Sequence, residues 1–232
     1  WRDVPGRDDA WKKMTIANTS ELQFEQEFGN SFLGTGNTLI NANTLLGLQI
    51  HDPIWYKQST YLYEEPVIDH TYIMCVDTAK GRGQDYSTFT IIDVTEKPFK
   101  QVAIYRDNMI SPLLFPDIIY RYAKMYNNAL VIIENNDSGQ IVCNQLFYDI
   151  EYDNVFTQSS VKRSGIGVTM TKKTKQIGCS TLKEVMEENK LQINDKFTIN
   201  ELITFVSKGQ SWEADGRNHD DLVMNLVVIQ KP

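Results

Sequence analysis

The chain has 232 residues, 41% hydrophobic and 23% charged, with a formal net charge of −7. That length suits one well-buried domain with a small appendage, and no apolar run is long enough to cross a bilayer, so no membrane role is expected. The acidity argues against a passive nucleic-acid coat, which is ordinarily basic, but not against an enzyme that gathers acids to bind metal.

Cys75, Cys143 and Cys179 are far apart, with no CxxC pair and no Cys/His cluster. That pattern excludes a zinc or disulfide framework and suits a reducing cytoplasm. No signal-peptide pattern opens the sequence, which begins on Trp1 rather than Met. The expectation is a fragment cut from a longer protein.

Residues 1–50 are polar, rich in Asn and Thr, and show no strand series. Pro5 with Arg7-Asp8-Asp9 reads as a loop and Ser20–Phe28 as a short helix, so the segment reads as a lead-in, with the main domain over 51–232. From His70 the rhythm changes. Tyr72–Val76 is a short apolar run of the kind found in buried strands, and it ends in Asp77. A Gly-bearing turn, Lys80–Asp85, leads to a second strand at Ser87–Val94, and Pro98 to a third at Phe99–Arg106. Short connections predict an antiparallel meander.

Pro112–Asn127 has helical spacing of Leu114, Ile118, Tyr122 and Met125. Ala129–Ile133 is another buried-type strand, ending in Glu134. Asp137 or Ser138 can cap a helix over Gly139–Ile150. A weak strand near Asn154–Gln158, a helix over Lys173–Asn189 and a helix from Thr198 or Ile199 to Val206 follow. The last helix starts near Asp220 and carries Leu222, Val223, Leu226 and Val227. This order predicts an α/β fold with a mixed central sheet flanked by helices.

The chemical content lies in where the acids fall. Asp77 and Glu134 each directly follow an apolar strand, and Asp220 and Asp221 open the last helix. Magnesium is held by a few carboxylates, waters and substrate phosphate. Two such ions about 4 Å apart can activate water and stabilise the leaving oxygen of a phosphodiester. Each acid also has an ordinary reading: Asp77 as a turn former, Glu134 as a solvated strand end, Asp220 and Asp221 as helix caps. Asp85 is a further candidate that the Gly-bearing turn could swing toward the same end, or else a hairpin residue. His219 could orient a phosphate or a water, or simply open the helix.

These residues carry a resemblance. Cys75–Phe89, Val131–Asn136 and His219–Met224 resemble the nuclease domain of the large terminase subunit of tailed bacteriophages, of the T-even type. Gln23–Ile40 resembles that family's junction between ATPase and nuclease parts. The resemblance implies an RNase H-like, RuvC-like fold and cutting of concatemeric viral DNA in the host cell cytoplasm during packaging. It implies a catalytic acidic triad of Asp77, Glu134 and one of Asp220 or Asp221, holding Mg2+ or Mn2+, with Asp85 in support. Helical-face packing leans toward Asp220. Asp77 would bridge two metals, Glu134 would hold one and the third acid the other. Implied partners are double-stranded DNA, an ATP-driven motor domain, the portal and the small terminase subunit. No Walker A sequence occurs, so this fragment is not expected to hydrolyse ATP.

Between residues 160 and 176, Lys162, Arg163, Lys172, Lys173 and Lys175 are unopposed by any acid. They could track a phosphate backbone, as could Lys80 and Arg82, or be a solvated basic surface. Little sequence specificity is expected, since no base-reading motif occurs. The alternatives are another RNase H-like nuclease, such as a junction resolvase, and a non-catalytic docking module.

Overall fold

A computed structural model describes residues 6–18, 24, 37–160, 163–209, 211–216 and 218–229. The predicted helix at Ser20–Phe28 and most of Gln23–Ile40 lie outside these residues.

In chain order the described elements begin with α1 (Asp9–Asn18), α2 (Ala42–Gly47), β1 (Trp55–Lys57) and β2 (Thr60–Leu62). The meander follows as β3 (Tyr72–Asp77), β4 (Ser87–Asp93) and β5 (Phe99–Asp107). Then come α3 (Phe115–Met125), β6 (Leu130–Ile133) and α4 (Gly139–Asn144), which continues as a π-helical turn over Gln145–Asp149. A small hairpin, β7 (Thr157–Ser160) and β8 (Arg163–Ile166), precedes α5 (Lys172–Glu187), β9 (Leu191–Gln192) and α6 (Lys196–Thr204). A second hairpin, β10 (Phe205–Lys208) and β11 (Ser211–Ala214), leads to α7 (Asp221–Ile229).

The main sheet runs β1-β2-β5-β4-β3-β6, with β9 beside β5. The pairs β3/β4 and β4/β5 are antiparallel, as the short connections predict. β6 lies parallel to β3, reached through α3. A parallel neighbour requires such a crossover, because a tight turn can only reverse the chain.

Strand alternation sorts the two faces. Met74 and Val76 of β3, with Val131 and Ile133 of β6, face Phe115, Ile119 and Tyr122 of α3 and Val142 and Leu146 beyond. Cys75 and Ile132 face the other way, against Cys179, Leu182 and Met186 of α5 and Val223, Leu226 and Val227 of α7. The result is a sheet between two helical layers. All nine residues of α7 are buried. That explains why its sequence is apolar on every side and carries no single-face signal.

Several expectations are corrected. Asp9 starts a helix rather than a loop, with Asp8 Oδ1 accepting from Trp11 N at 2.8 Å. The β1–β2 hairpin was not foreseen. Its turn holds Gln58 (φ 49°) and Ser59 (φ 63°) in the left-handed region, a conformation usually signalled by Asn-Gly. The helix expected to reach Val206 ends at Thr204, and the chain enters β10. Residues 37–48 of the lead-in pack on the domain: Leu39, Ile40 and Leu45 are buried with α5 and α6 side chains, and Thr38 bridges to Val206.

Gly178 fixes the approach of α5 to α7. A Cβ there would stand 2.5 Å from Val227 O and 2.7 Å from Val227 Cγ1. Helix propensity alone would favour Gly178→Ala by about 1 kcal/mol. The steric term has the opposite sign and is larger, so we expect Gly178→Ala to destabilise the chain by about 1–3 kcal/mol. The urea midpoint measures this; a midpoint at or above wild type would show that the contact does not constrain the two helices.

Candidate metal centre

The strand parity that builds the core also aims the acids. Asp77 continues the Ile73–Cys75 side of β3, and Glu134 the Leu130–Ile132 side of β6, so both belong to the face covered by α5 and α7. Because β3 and β6 are parallel, their C-terminal ends share one edge, and Glu134 N donates to Val76 O at 3.0 Å. This edge is where open α/β sheets place their ligand sites. The start of α7 brings Asp221 to the same place. Its carbonyl accepts from Thr88 Oγ1 at 3.3 Å, and Asn225 Nδ2 donates to that hydroxyl at 2.9 Å. The helix is therefore keyed to β4 through polar contacts inside an apolar seat.

Asp77, Asp85, Asp220 and Asp221 line a cleft of about 530 Å³, together with Asp137, Lys80, Arg82 and Thr78. Asp77 keeps a part-exposed surface toward this cleft. Burial, then the neighbouring Glu134 and Asp221 carboxylates, holds its carboxyl well above the usual range. Burial also raises Glu134, against the pull of the Lys175 ammonium. Asp221 is pushed up to about 6 by burial, opposed by the Tyr86 N–H, with Asp220 and Asp85 adding repulsion. That N–H lies 3.3 Å from Asp221 Oδ2, and His219 Nδ1 is 3.6 Å from the same oxygen.

Lys175 is in α5, with Nζ 3.7 Å from Asp220 Oδ2. It therefore lies at the acidic cluster rather than on a free surface. Lys80 and Arg82 are exposed on the cleft wall, and Lys172 and Lys173 are exposed at the start of α5. Lys162 and the side chain of Arg163 lie outside the described residues. The face argument for Asp220 does not discriminate within the pair, because α7 is buried all round. Asp221 is the more enclosed, at 12% side-chain exposure against 28% for Asp220.

Sequence reading treated Asp137 only as a cap, and did not single out Glu201 or Arg106. Asp137 has φ 47° and lines the cleft, while Ser138 holds the cap position without a side-chain cap bond. Gly139 lets α4 start against the site: a Cβ there would fall 1.8 Å from Glu134 O. Glu201 packs against the first turn of α7, and burial pushes it up to about 8, with Asp221 adding repulsion. Its only sequence signal was an acid amid the apolar residues of a helix.

The donor chemistry fits a hard cation. Every converging donor is oxygen, the carboxylates repel one another, and the buried Thr78 hydroxyl at the cleft has no hydrogen-bond partner. The arrangement is open: among the described residues no three His, Cys, Asp or Glu side chains are drawn together closely enough to hold an ion.

An antiparallel meander, a parallel strand reached through a helix, and acids at their common edge define the RNase H-like class of folds. The chain belongs to the terminase RNaseH-like domain family, whose model matches residues 74–229. It is 28% identical over 217 residues to the large terminase subunit of Thermus virus P23-45, covering 90% of this chain and 40% of that protein. The chain thus spans about 40% of the length of the curated relatives it matches. The large terminase nuclease of the thermophilic phage G20c with bound magnesium superposes with a TM-score of 0.68 at 23% identity, covering 85% of this chain and 98% of that one. The cobalt-bound form of that nuclease gives the same TM-score at 22% identity and the same coverage.

The raised carboxyls tie stability to pH with a definite sign. An acid whose folded pKa exceeds its unfolded value binds protons more tightly when folded, so its contribution is present at low pH and lost as pH rises. For Asp221 the loss spans 3.8 to about 6, and for Glu201 4.5 to about 8. In EDTA the melting temperature is therefore expected to fall between pH 5 and 8, and Asp221→Asn should flatten the lower part of that slope. Scanning fluorimetry across this range checks it; a melting temperature that climbs with pH would contradict the assigned electrostatics.

Proposed function

We propose that this domain is a metal-dependent endonuclease that cuts double-stranded viral DNA during genome packaging. The observation that carries the reading is that Asp77 and Glu134 end the parallel strands β3 and β6 at one edge, while the start of α7 brings Asp220 and Asp221 to the cleft that Asp77 lines. Family membership and the metal-bound relatives support it.

Asp77, Glu134 and one or both of Asp220 and Asp221 would hold Mg2+ or Mn2+, with Asp85 supporting from the cleft wall. Divalent cations at such a site supply activation of water and neutralisation of charge on the leaving oxygen. The chain's own contribution is to hold the carboxylates on rigid strand and helix ends and to keep their negative charge uncompensated until a cation arrives. Lys80 and Arg82 would take backbone phosphates on one side of the cleft and Lys172 and Lys173 on the other, with Lys162 and Arg163 belonging to the same basic stretch, whereas Lys175 is turned to Asp220. Such contacts fix register on the duplex without reading bases, which accounts for little sequence specificity.

In this reading the chain works in the host cytoplasm as part of a longer large terminase subunit. That subunit's motor domain, the portal and the small subunit would present the DNA, compensating for the net charge of −7.

Purified protein is expected to cut plasmid DNA with Mg2+ or Mn2+ and not with EDTA. Asp77→Asn and Glu134→Gln should reduce cutting to the EDTA level while the circular dichroism spectrum stays that of wild type. Full cleavage by either variant would remove that residue from the metal centre. Replacing Lys80 and Arg82 by alanine should weaken DNA binding alike across sequences and lower the log–log salt slope by about 2. An unchanged slope in a titration from 50 to 200 mM salt would mean that these side chains do not touch phosphate.

A further inference from the structure

Glu201 is an acid buried beside the metal centre that the chemistry above does not use. It belongs to α6 and is 6% exposed. Its Oε2 accepts from the backbone N–H of Leu222 at 2.7 Å and of Val223 at 3.2 Å. First-turn N–H groups have no partner within their own helix, and a carboxylate there also complements the helix dipole. A cap is usually supplied by the residue that opens the helix. Here it comes from another helix, so it joins the start of α7 to α6 and fixes where that start lies.

The second carboxylate oxygen faces the sheet. Glu201 Oε1 is 4.0 Å from Arg106 Nε of β5, too far for a hydrogen bond, and both atoms are buried without another polar partner. The Arg106 guanidinium lies 3.4 Å from the centre of the Tyr86 ring and 5.2 Å from that of Phe197. Tyr86 in turn gives its N–H to Asp221 Oδ2. Asp221 is thus held from two directions: its helix by Glu201, and its carboxylate by a backbone whose side chain Arg106 covers.

The geometry points to Glu201 as a positioning residue that seats the first turn of α7, with the Arg106 guanidinium facing its other oxygen, so that Asp221 stands beside Asp77 in the cleft. Its functional consequence rests on the metal-centre reading above. Outer partners of metal ligands typically alter affinity or activity 10- to 100-fold when removed. A residue that merely stabilised the fold would change melting temperature and leave metal affinity alone.

Two measurements on the whole chain separate these cases: amide hydrogen exchange at Leu222 and Val223 in EDTA, and Mn2+ binding by calorimetry. Glu201→Ala is expected to speed exchange at both amides and to weaken Mn2+ binding about tenfold or more. Glu201→Gln keeps an oxygen for both N–H groups, so exchange should stay slow and affinity within about threefold of wild type. Faster exchange with unchanged Mn2+ affinity in Glu201→Ala would reduce Glu201 to a helix cap and overturn the positioning role. Unchanged exchange would overturn the contact itself. If the alanine variant does not fold, Arg106→Met carries the test. It removes the cation but keeps an apolar stem, should weaken Mn2+ binding in the same direction, and overturns the proposal if affinity stays at the wild-type level. A wild type that binds no Mn2+ would defeat the metal-centre reading, and the exchange data would then decide the seating of α7 by themselves.

Discussion

Like charges crowded at one edge of the sheet set the terms for everything around them. Bringing Asp77, Glu134, Asp220 and Asp221 together costs electrostatic free energy, and burial raises that cost because a half-enclosed carboxylate has lost part of its hydration. The raised carboxyl of Asp77 expresses that cost directly. A fold can tolerate it only where rigid elements over-determine the position of each acid. Here two parallel strands and a wholly buried helix do so, and their apolar contacts on the same face, Cys75, Ile132, Val223 and Val227 among them, stabilise what the acids oppose.

The same constraint explains the distribution of compensating groups. Lys175 stands against Asp220, the Tyr86 N–H against Asp221, and the Thr78 N–H lowers Asp77 a little. None neutralises the cluster, so the negative potential of the cleft survives folding. Lys80 and Arg82 are exposed on the wall of the cleft, and Lys172 and Lys173 are exposed at the start of α5. Attraction for a cation at the centre and for phosphate at the rim can therefore coexist in an acidic chain.

Much of this was legible in the sequence because it depends on local periodicity. The apolar runs before Asp77 and Glu134 predicted both strands, and the short connections predicted the meander. What stayed hidden depends on long-range placement. The β1–β2 hairpin turns on Gln58 and Ser59, which carry no composition cue for left-handed backbone. The α6-to-β10 transition at Phe205 follows a run that continues the helical apolar pattern without a Gly or Pro stop. Glu201 could not be recognised, because its meaning lies in two N–H groups that reach it only when α7 packs on α6. The choice between Asp220 and Asp221 was obscured for a related reason: a helix buried on every side offers no amphipathic face to read.

The full enclosure of α7 also bears on how the domain ages and evolves. Many enzymes carry a reacting group on a loop that can loosen, or change in sequence, while the scaffold persists. Here Asp221 is the first residue of a core helix with no exposed position along its nine residues. Heat or mutation that loosens the helix disturbs the core and the acid together, because Asp221 shares its helix with Val223, Leu226 and Val227 of the core. Inactivation should therefore coincide with global unfolding. Along α7, substitutions that change volume or register are expected to disturb the core and the placement of Asp221 alike.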